Sequence, residues 1–396
     1  MSKRVLFIIA IIASSIGLFA QTNPSVTLKK QIAANLSLAV EQYQILHRNV
    51  PANRMPQNFD INTGQMVTSN TKWWCAGFFP GTLWYLYDYS KNTNIQKIAE
   101  ERLNLMEPEK HFTGNHDLGF MMYCSYGNAY RITKNDKYKK ILDTAAMSLA
   151  SRFRPKIQSI QSWDSSKNFK CAVIVDNMMN LELLTWVSNN GGNPRFGEIA
   201  RTHANTTMER QFRPDNAAYH VLDYSLATGT LLKKTTWQGY SDSSAWARGQ
   251  GWAVYGYTMM YRLTKDEKYK AQANKIAAFI LNHPRYPKDG IPYWDFDAPN
   301  IPNALRDASA GAIMASAFIE LSGYVTGTLQ QKYKKAAETI LTSLSSPEYL
   351  AAKGTNGGFL LKHSVGALPL KGEVDMALTY ADYYFVEAML RYLKQY

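Results

Sequence analysis

Two kinds of hydrophobic pattern alternate along the chain. In the first kind apolar residues crowd more than one face, as in Val173 to Trp186. In the second they form a single stripe, as in Tyr138 to Phe153 and Tyr333 to Leu344. The first pattern predicts an inner helix and the second an outer, half-exposed one. On this reading inner helices lie near 75–89, 117–132, 174–188, 245–263, 307–323 and 377–394. Their outer partners lie near 27–48, 92–106, 136–152, 194–210, 266–282 and 329–345.

A degenerate repeat marks the joints. Tyr130-Arg131-Ile132-Thr133-Lys134 leads to Lys137-Tyr138-Lys139, Tyr261-Arg262-Leu263-Thr264-Lys265 leads to Lys268-Tyr269-Lys270, and Tyr324-Val325-Thr326-Gly327 leads to Lys332-Tyr333-Lys334. Tyr89-Ser90-Lys91-Asn92 is a weaker copy, and Ser188 to Gly192 makes a comparable turn. About six helical hairpins in sequence, with the longer loops always on one side, predict a closed double ring and not an open solenoid. The inner-helix N-termini then converge on one mouth, where helix ends favour negative charge. Long leaders reach that mouth through 58–72, 108–116, 156–170, 213–244, 284–306 and 352–373, lengths that point to function. No strong strand pattern is present, although 213–238 allows a short hairpin.

Composition narrows the class. Charged residues make only 19% and hydrophobic ones 46%, which fits a globular protein and argues against disorder. The 25 tyrosines and 9 tryptophans suit a core and equally a sugar-binding cleft. Lys3 and Arg4, the apolar run Val5 to Ile12 and the small residues up to Ala20 predict an export signal over residues 1–20. That run is too short for a permanent membrane anchor. A single domain from residue 21 to 396, periplasmic or secreted, is the expectation. The formal net charge is +13 without any Lys/Arg run, and removing Lys3 and Arg4 leaves it basic. This favours an acidic ligand over nucleic acid. Cys75, Cys124 and Cys171 have no metal-type spacing and are expected as buried thiols.

Candidate chemistry sits where leaders enter inner helices. Asp176 precedes an apolar helix, so its carboxyl is either an N-cap or a dehydrated proton donor. Asp117, in His116-Asp117-Leu118-Gly119-Phe120, holds the same position one hairpin earlier. Two carboxylates flanking a bond are what glycoside cleavage requires. His116 reads as a site residue or as a capping or core histidine. In Ser244-Ala245-Trp246-Ala247-Arg248-Gly249-Gln250-Gly251-Trp252, Arg248 and Trp252 share a helix face, and a guanidinium there suits a substrate carboxylate. The structural alternative is a buried pair of Arg248 with Asp242 or Glu182. Phosphate loops, zinc-protease and nucleophile-elbow motifs are absent from the sequence, and neither a metal nor a cofactor is expected.

At these residues the chain resembles family 88 of the glycoside hydrolases, the unsaturated glucuronyl hydrolases. The matching stretches are Lys72 to Gly81, His116 to Phe120, Val175 to Asn180, Gln238 to Gln250 and Tyr380 to Ala388. The resemblance implies an all-α (α/α)6 barrel and removal of the 4,5-unsaturated uronic acid that polysaccharide lyases leave at the non-reducing end. It further implies Asp176 as general acid/base and Asp117 as the second carboxylate. His116, His220, Gln238, Trp246, Arg248 and Trp252, with Trp74 and Thr236, are implied to line the minus-one subsite. Residues 284–306 and 352–373 match nothing assignable and are expected to shape the plus-one side. Competing readings are a sister activity on pectin-derived unsaturated galacturonyl-rhamnose and a non-catalytic glycan-binding toroid. The expected ligands are unsaturated uronic-acid oligosaccharides, sulfated or not, with Lys233, Lys234, Arg306 and His363 as candidate sulfate readers or plain solvated charges. The sequence leaves the oligomeric state open.

Overall fold

The computed structural model describes residues 24–396, so the expected export signal lies outside the described residues. Helices alternate outward and inward along the chain. The outer set is α1 (Pro24–Asn49), α3 (Thr93–Leu105), α6 (Asp136–Ala150), α8 (Pro194–Arg210), α10 (Glu267–Asn282) and α12 (Gly327–Leu344). The inner set is α2 (Phe78–Ser90), α4 (Leu118–Met122) running through a π-helical turn at Tyr123–Gly127 into α5 (Asn128–Thr133), α7 (Asn177–Asn189), α9 (Ala247–Thr264), α11 (Ala308–Ser322) and α13 (Thr379–Gln395). Each inner helix packs on the next, and α13 returns to α2, which closes the ring. The architecture is the (α/α)6 barrel expected from the sequence.

The repeat is explained by the short turns. Lys91, Lys134 and Lys265 end α2, α5 and α9 in the left-handed conformation, each backbone N–H returning to the carbonyl of the tyrosine four residues before. Each ammonium group then lies over that tyrosine's ring, 5.8, 5.6 and 5.6 Å from its centroid. Asn92, Asn135 and Asp266 follow immediately and cap the outer helices with their side chains. Stop and start signals are thus fused into a two-residue joint.

All-helical is not the whole description, because the leaders form three small antiparallel sheets. β1 (Met55–Asp60) pairs with β2 (Gln65–Ser69) and β8 (Ala377–Leu378); β3 (Phe153–Arg154) pairs with β4 (Ser159–Ile160); β6 (Val221–Tyr224) lies between β5 (Ala172–Ile174) and β7 (Leu231–Thr235). Several of these strands are two or three residues long, too short to show a period of two. The β6–β7 hairpin falls inside the 213–238 window. The three cysteines are buried and unpaired. Among the described residues no helix is long and apolar enough to cross a membrane, and no cluster of His, Cys, Asp or Glu has a metal-binding arrangement.

Candidate active site

The sheet β5–β6–β7 builds one half of the site. Ile174 pairs with Val221 and Val221 with Thr235, so the residues just outside the sheet, Asp176, His220 and Thr236, are brought together from three separate stretches. The Val175 N–H donates to the His220 carbonyl at 3.1 Å, locking this alignment. The other half comes from Asp117. His116 N–H donates to Ser162 O, and Ser162 N–H donates to Ala172 O, so the leader of α4 is tied to β5. Gly119 completes the approach: a Cβ there would lie 2.4 Å from the Asn180 Cα, so only glycine lets α4 press against α7. Phe120 N–H meanwhile donates to Asn180 Oδ1 at 2.8 Å.

These elements surround a cavity of about 410 Å³ at the N-terminal ends of the inner helices. Of the site residues named from the sequence, Trp74, His116, Asp117, Asp176, Gln238 and Arg248 line it. Four implied lining residues stand one layer back. His220 packs behind Asp176, Trp246 stacks on His220 with ring centroids 4.5 Å apart, Thr236 Oγ1 lies 3.5 Å from His220 Nδ1, and Trp252 is fully buried against Phe120. Their place is support of the wall and not its surface. The cavity also takes Gln57, Trp73, Trp163, Trp237, Glu373 and Tyr380, none of them singled out in the sequence. Trp163 and Trp237, lone tryptophans in polar leaders, carried a signal that could have been used. Glu373 carried none, since its place depends on Gln57 and Asn58 donating to its carboxylate. Of the two unmatched leaders, 352–373 contributes Gly366, Ala367, Leu370, Gly372 and Glu373 to the wall. None of the lining comes from 284–306.

Neither acid is a helix cap. Asp176 and Asp117 occupy the N-cap positions of α7 and α4, yet neither side chain makes a capping hydrogen bond. Burial pushes Asp117 up to about 8, with the Asp176 charge adding to the effect. Burial likewise pushes Asp176 up to about 7, with Arg248 opposing the rise. Near neutrality the pair therefore retains protons that ordinary carboxyls would have lost. His116 and His220 are driven the other way, both to about 3, chiefly by burial, so both rings are neutral. His220 Nδ1 accepts the N–H groups of Trp237 and Gln238 at 3.1 and 3.2 Å. Its proton accordingly sits on Nε2, which lies 3.9 Å from Asp176 Oδ1. Neither of these two atoms has a hydrogen-bond partner in the protein. His116 Nε2 is 3.3 Å from Asp117 Oδ1.

Arg248 is buried and gripped on several sides. It pairs with Asp307 at 3.3 Å, donates to the carbonyls of Val365 and Gly366, and lies 4.6 and 5.3 Å from the ring centroids of Trp246 and Tyr380. The alternative partners are corrected: Asp242 accepts from Thr235 and Thr236, and Glu182 pairs with Arg262. The candidate sulfate readers are also occupied elsewhere. Lys233 donates to Asn168 O, Lys234 to Arg210 O, Arg306 pairs with Asp289 and His363 with Asp375, and none of the four lines the cavity.

Paired buried carboxyls in an aromatic cleft, at the loop-bearing mouth of a six-hairpin helical ring, are the attributes of a toroidal glycosidase. The sequence profile of Glycosyl Hydrolase Family 88 matches residues 49–392. The chain belongs to that family and is a glycoside hydrolase. It is 41% identical over 350 residues to an unsaturated glucuronyl hydrolase of Formosa agariphila, covering 88% of this chain and 87% of the relative. An unsaturated chondroitin disaccharide hydrolase of Streptococcus pneumoniae is 32% identical, with 83% of both chains covered. The crystal structure of an unsaturated glucuronyl hydrolase specific for heparin superposes with a TM-score of 0.89 at 45% identity, covering 92% of this chain and 97% of the other.

Proposed function

We propose that the protein removes the 4,5-unsaturated glucuronic acid from the non-reducing end of lyase-generated oligosaccharides by hydrating the C4–C5 double bond. The observation that carries this reading is the buried carboxyl of Asp176 on the cleft wall, its Oδ1 3.9 Å from Nε2 of a neutral His220 and its titration pushed up to about 7 by burial. An ionised carboxylate has no proton to give, whereas burial keeps this one loaded near neutrality. Asp176 delivers its proton to C4, leaving positive charge shared between C5 and the ring oxygen. Water held by Asp176, whose carboxyl His220 Nε2 backs from 3.9 Å, adds its oxygen to C5 and returns a proton to Asp176. The resulting hemiketal opens at the bond from C5 to the ring oxygen, which leaves a ketone at C5 and a hemiacetal at C1. That hemiacetal collapses and releases the leaving sugar.

Asp117, held higher still, donates to the sugar hydroxyls and is oriented by His116. Arg248 supplies the positive charge that a substrate carboxylate needs in a dehydrated cleft. Gly366 to Glu373 form the wall met by the next sugar.

Incubation with a panel of unsaturated disaccharides from glycosaminoglycan lyases, differing in linkage and sulfation, tests the reading through loss of the double-bond absorbance. The account expects turnover of unsaturated glucuronyl substrates in preference to unsaturated galacturonyl-rhamnose. Persistence of the absorbance on every glucuronyl substrate refutes it.

A further inference from the structure

At the opposite end of the ring a larger cavity of about 650 Å³ opens between the C-terminal ends of the inner helices. We infer that this mouth is a second binding site, for an oligosaccharide carrying carboxylates, separate from the cleft. Trp186 stands ten residues beyond Asp176 on α7, roughly 15 Å along the helix axis, so one helix serves both mouths. Its half-buried ring meets the rings of Tyr123 and Tyr130 with centroids 5.9 and 5.3 Å away, giving a wall of aromatic faces and edges. Such faces suit the C–H surfaces of sugar rings.

The floor alternates in charge. Arg262 joins Glu182 to Glu320, and Arg391 joins Glu320 to Glu387. Fixed acid and guanidinium groups side by side match the donor and acceptor pairs of neighbouring sugar hydroxyls. Beside the Asp88–Arg131 pair the rim carries two further cations: Lys134, whose ammonium lies over the Tyr130 ring, and Lys394 are both exposed, and neither forms an ion pair among the described residues. An uncharged sugar would leave those lysines without an anion, whereas a uronic-acid chain places its carboxylates beside them. The proposed reaction at the cleft uses none of these groups.

The test uses the full chain and a saturated uronic acid–hexosamine tetrasaccharide, which has no double bond to hydrate. Calorimetric binding is measured for the parent, for Trp186→Ala, and for Lys134→Glu combined with Lys394→Glu, each first shown to be folded by circular dichroism. Each variant is expected to weaken binding about tenfold or more. Turnover of an unsaturated disaccharide should stay within about twofold of the parent, since neither change touches the cleft. Absence of binding to the parent, or binding indifferent to both variants, overturns the inference. A parent that binds the tetrasaccharide through Trp186 yet leaves unsaturated disaccharides intact refutes the hydrolase reading alone.

Discussion

The two mouths of the ring handle buried charge unequally. At the C-terminal mouth acids and guanidinium groups alternate: burial raises Glu182 against the pull of Arg262, while behind it Arg262 and Arg391 outweigh burial and hold Glu320 below its ordinary value. At the N-terminal mouth two acids share a wall with one arginine already bound to Asp307 and two carbonyls, and burial wins, driving Asp117 to about 8 and Asp176 to about 7. Similar desolvation thus meets a network of paired charges at one end, which holds Glu320 down, and leaves retained protons at the other. The difference is the number of counter-charges within reach, and it separates a mouth fit for binding from one fit for proton transfer.

Removing the proton donor should break this comparison most sharply. Asp176→Asn is expected to lower kcat on an unsaturated glucuronyl disaccharide by roughly 10³ to 10⁴-fold, followed by double-bond absorbance. Next comes Arg248→Lys, which loses the planar fork and its hold on Val365 and Gly366. Its kcat/KM should fall by about 10²-fold, mostly through KM, in steady-state kinetics across substrate concentration. At the other mouth Arg262→Met strands Glu182 and part of Glu320. The chain should lose about 3 kcal/mol of stability in denaturant unfolding, while turnover per folded molecule stays within about twofold.

The smallest effect is a matter of pH. The folded pKa of Asp176 lies above its ordinary value of 3.8, so the folded chain keeps a proton that the unfolded chain releases. The stability that this group contributes therefore declines as pH rises from about 4 to about 7. Asp176→Asn should raise Tm by a few degrees at pH 8 and leave it unchanged at pH 4, as read by calorimetry.

Much of the ring was legible because each hairpin repeats the same local rules. Doubly apolar helices, single-stripe helices and the Tyr-to-Lys joints all arise from contacts within about ten residues. The site was legible where it sits on a helix start, as with Asp117, Asp176 and Arg248. It was not legible where a sheet of two- or three-residue strands assembles it. Nothing near His220 or Thr236 in sequence announces that the pairing of β6 with β5 and β7 sets one histidine behind Asp176, facing three backbone or hydroxyl partners. Glu373 and Gly366 were hidden for the same reason, since their partners Asn58 and Arg248 are more than a hundred residues away. The candidate sulfate readers differ, since none of the four lines the cleft. Basic residues in leaders look free until the carbonyls and carboxylates that hold them are seen.

One measurement bears on the retained proton most directly: titration of the aspartate side-chain carboxyls by NMR in protein labelled with ¹³C at that carbon. Three resonances should titrate with apparent values near 7 to 8, those of Asp117, Asp176 and the buried Asp382, and replacing Asp176 by Asn should abolish one and shift that of Asp117 downward. Should the carboxyls of Asp117 and Asp176 both complete their titration below about pH 5, the cleft holds no donor at neutral pH and the proposed hydration has no acid to begin it.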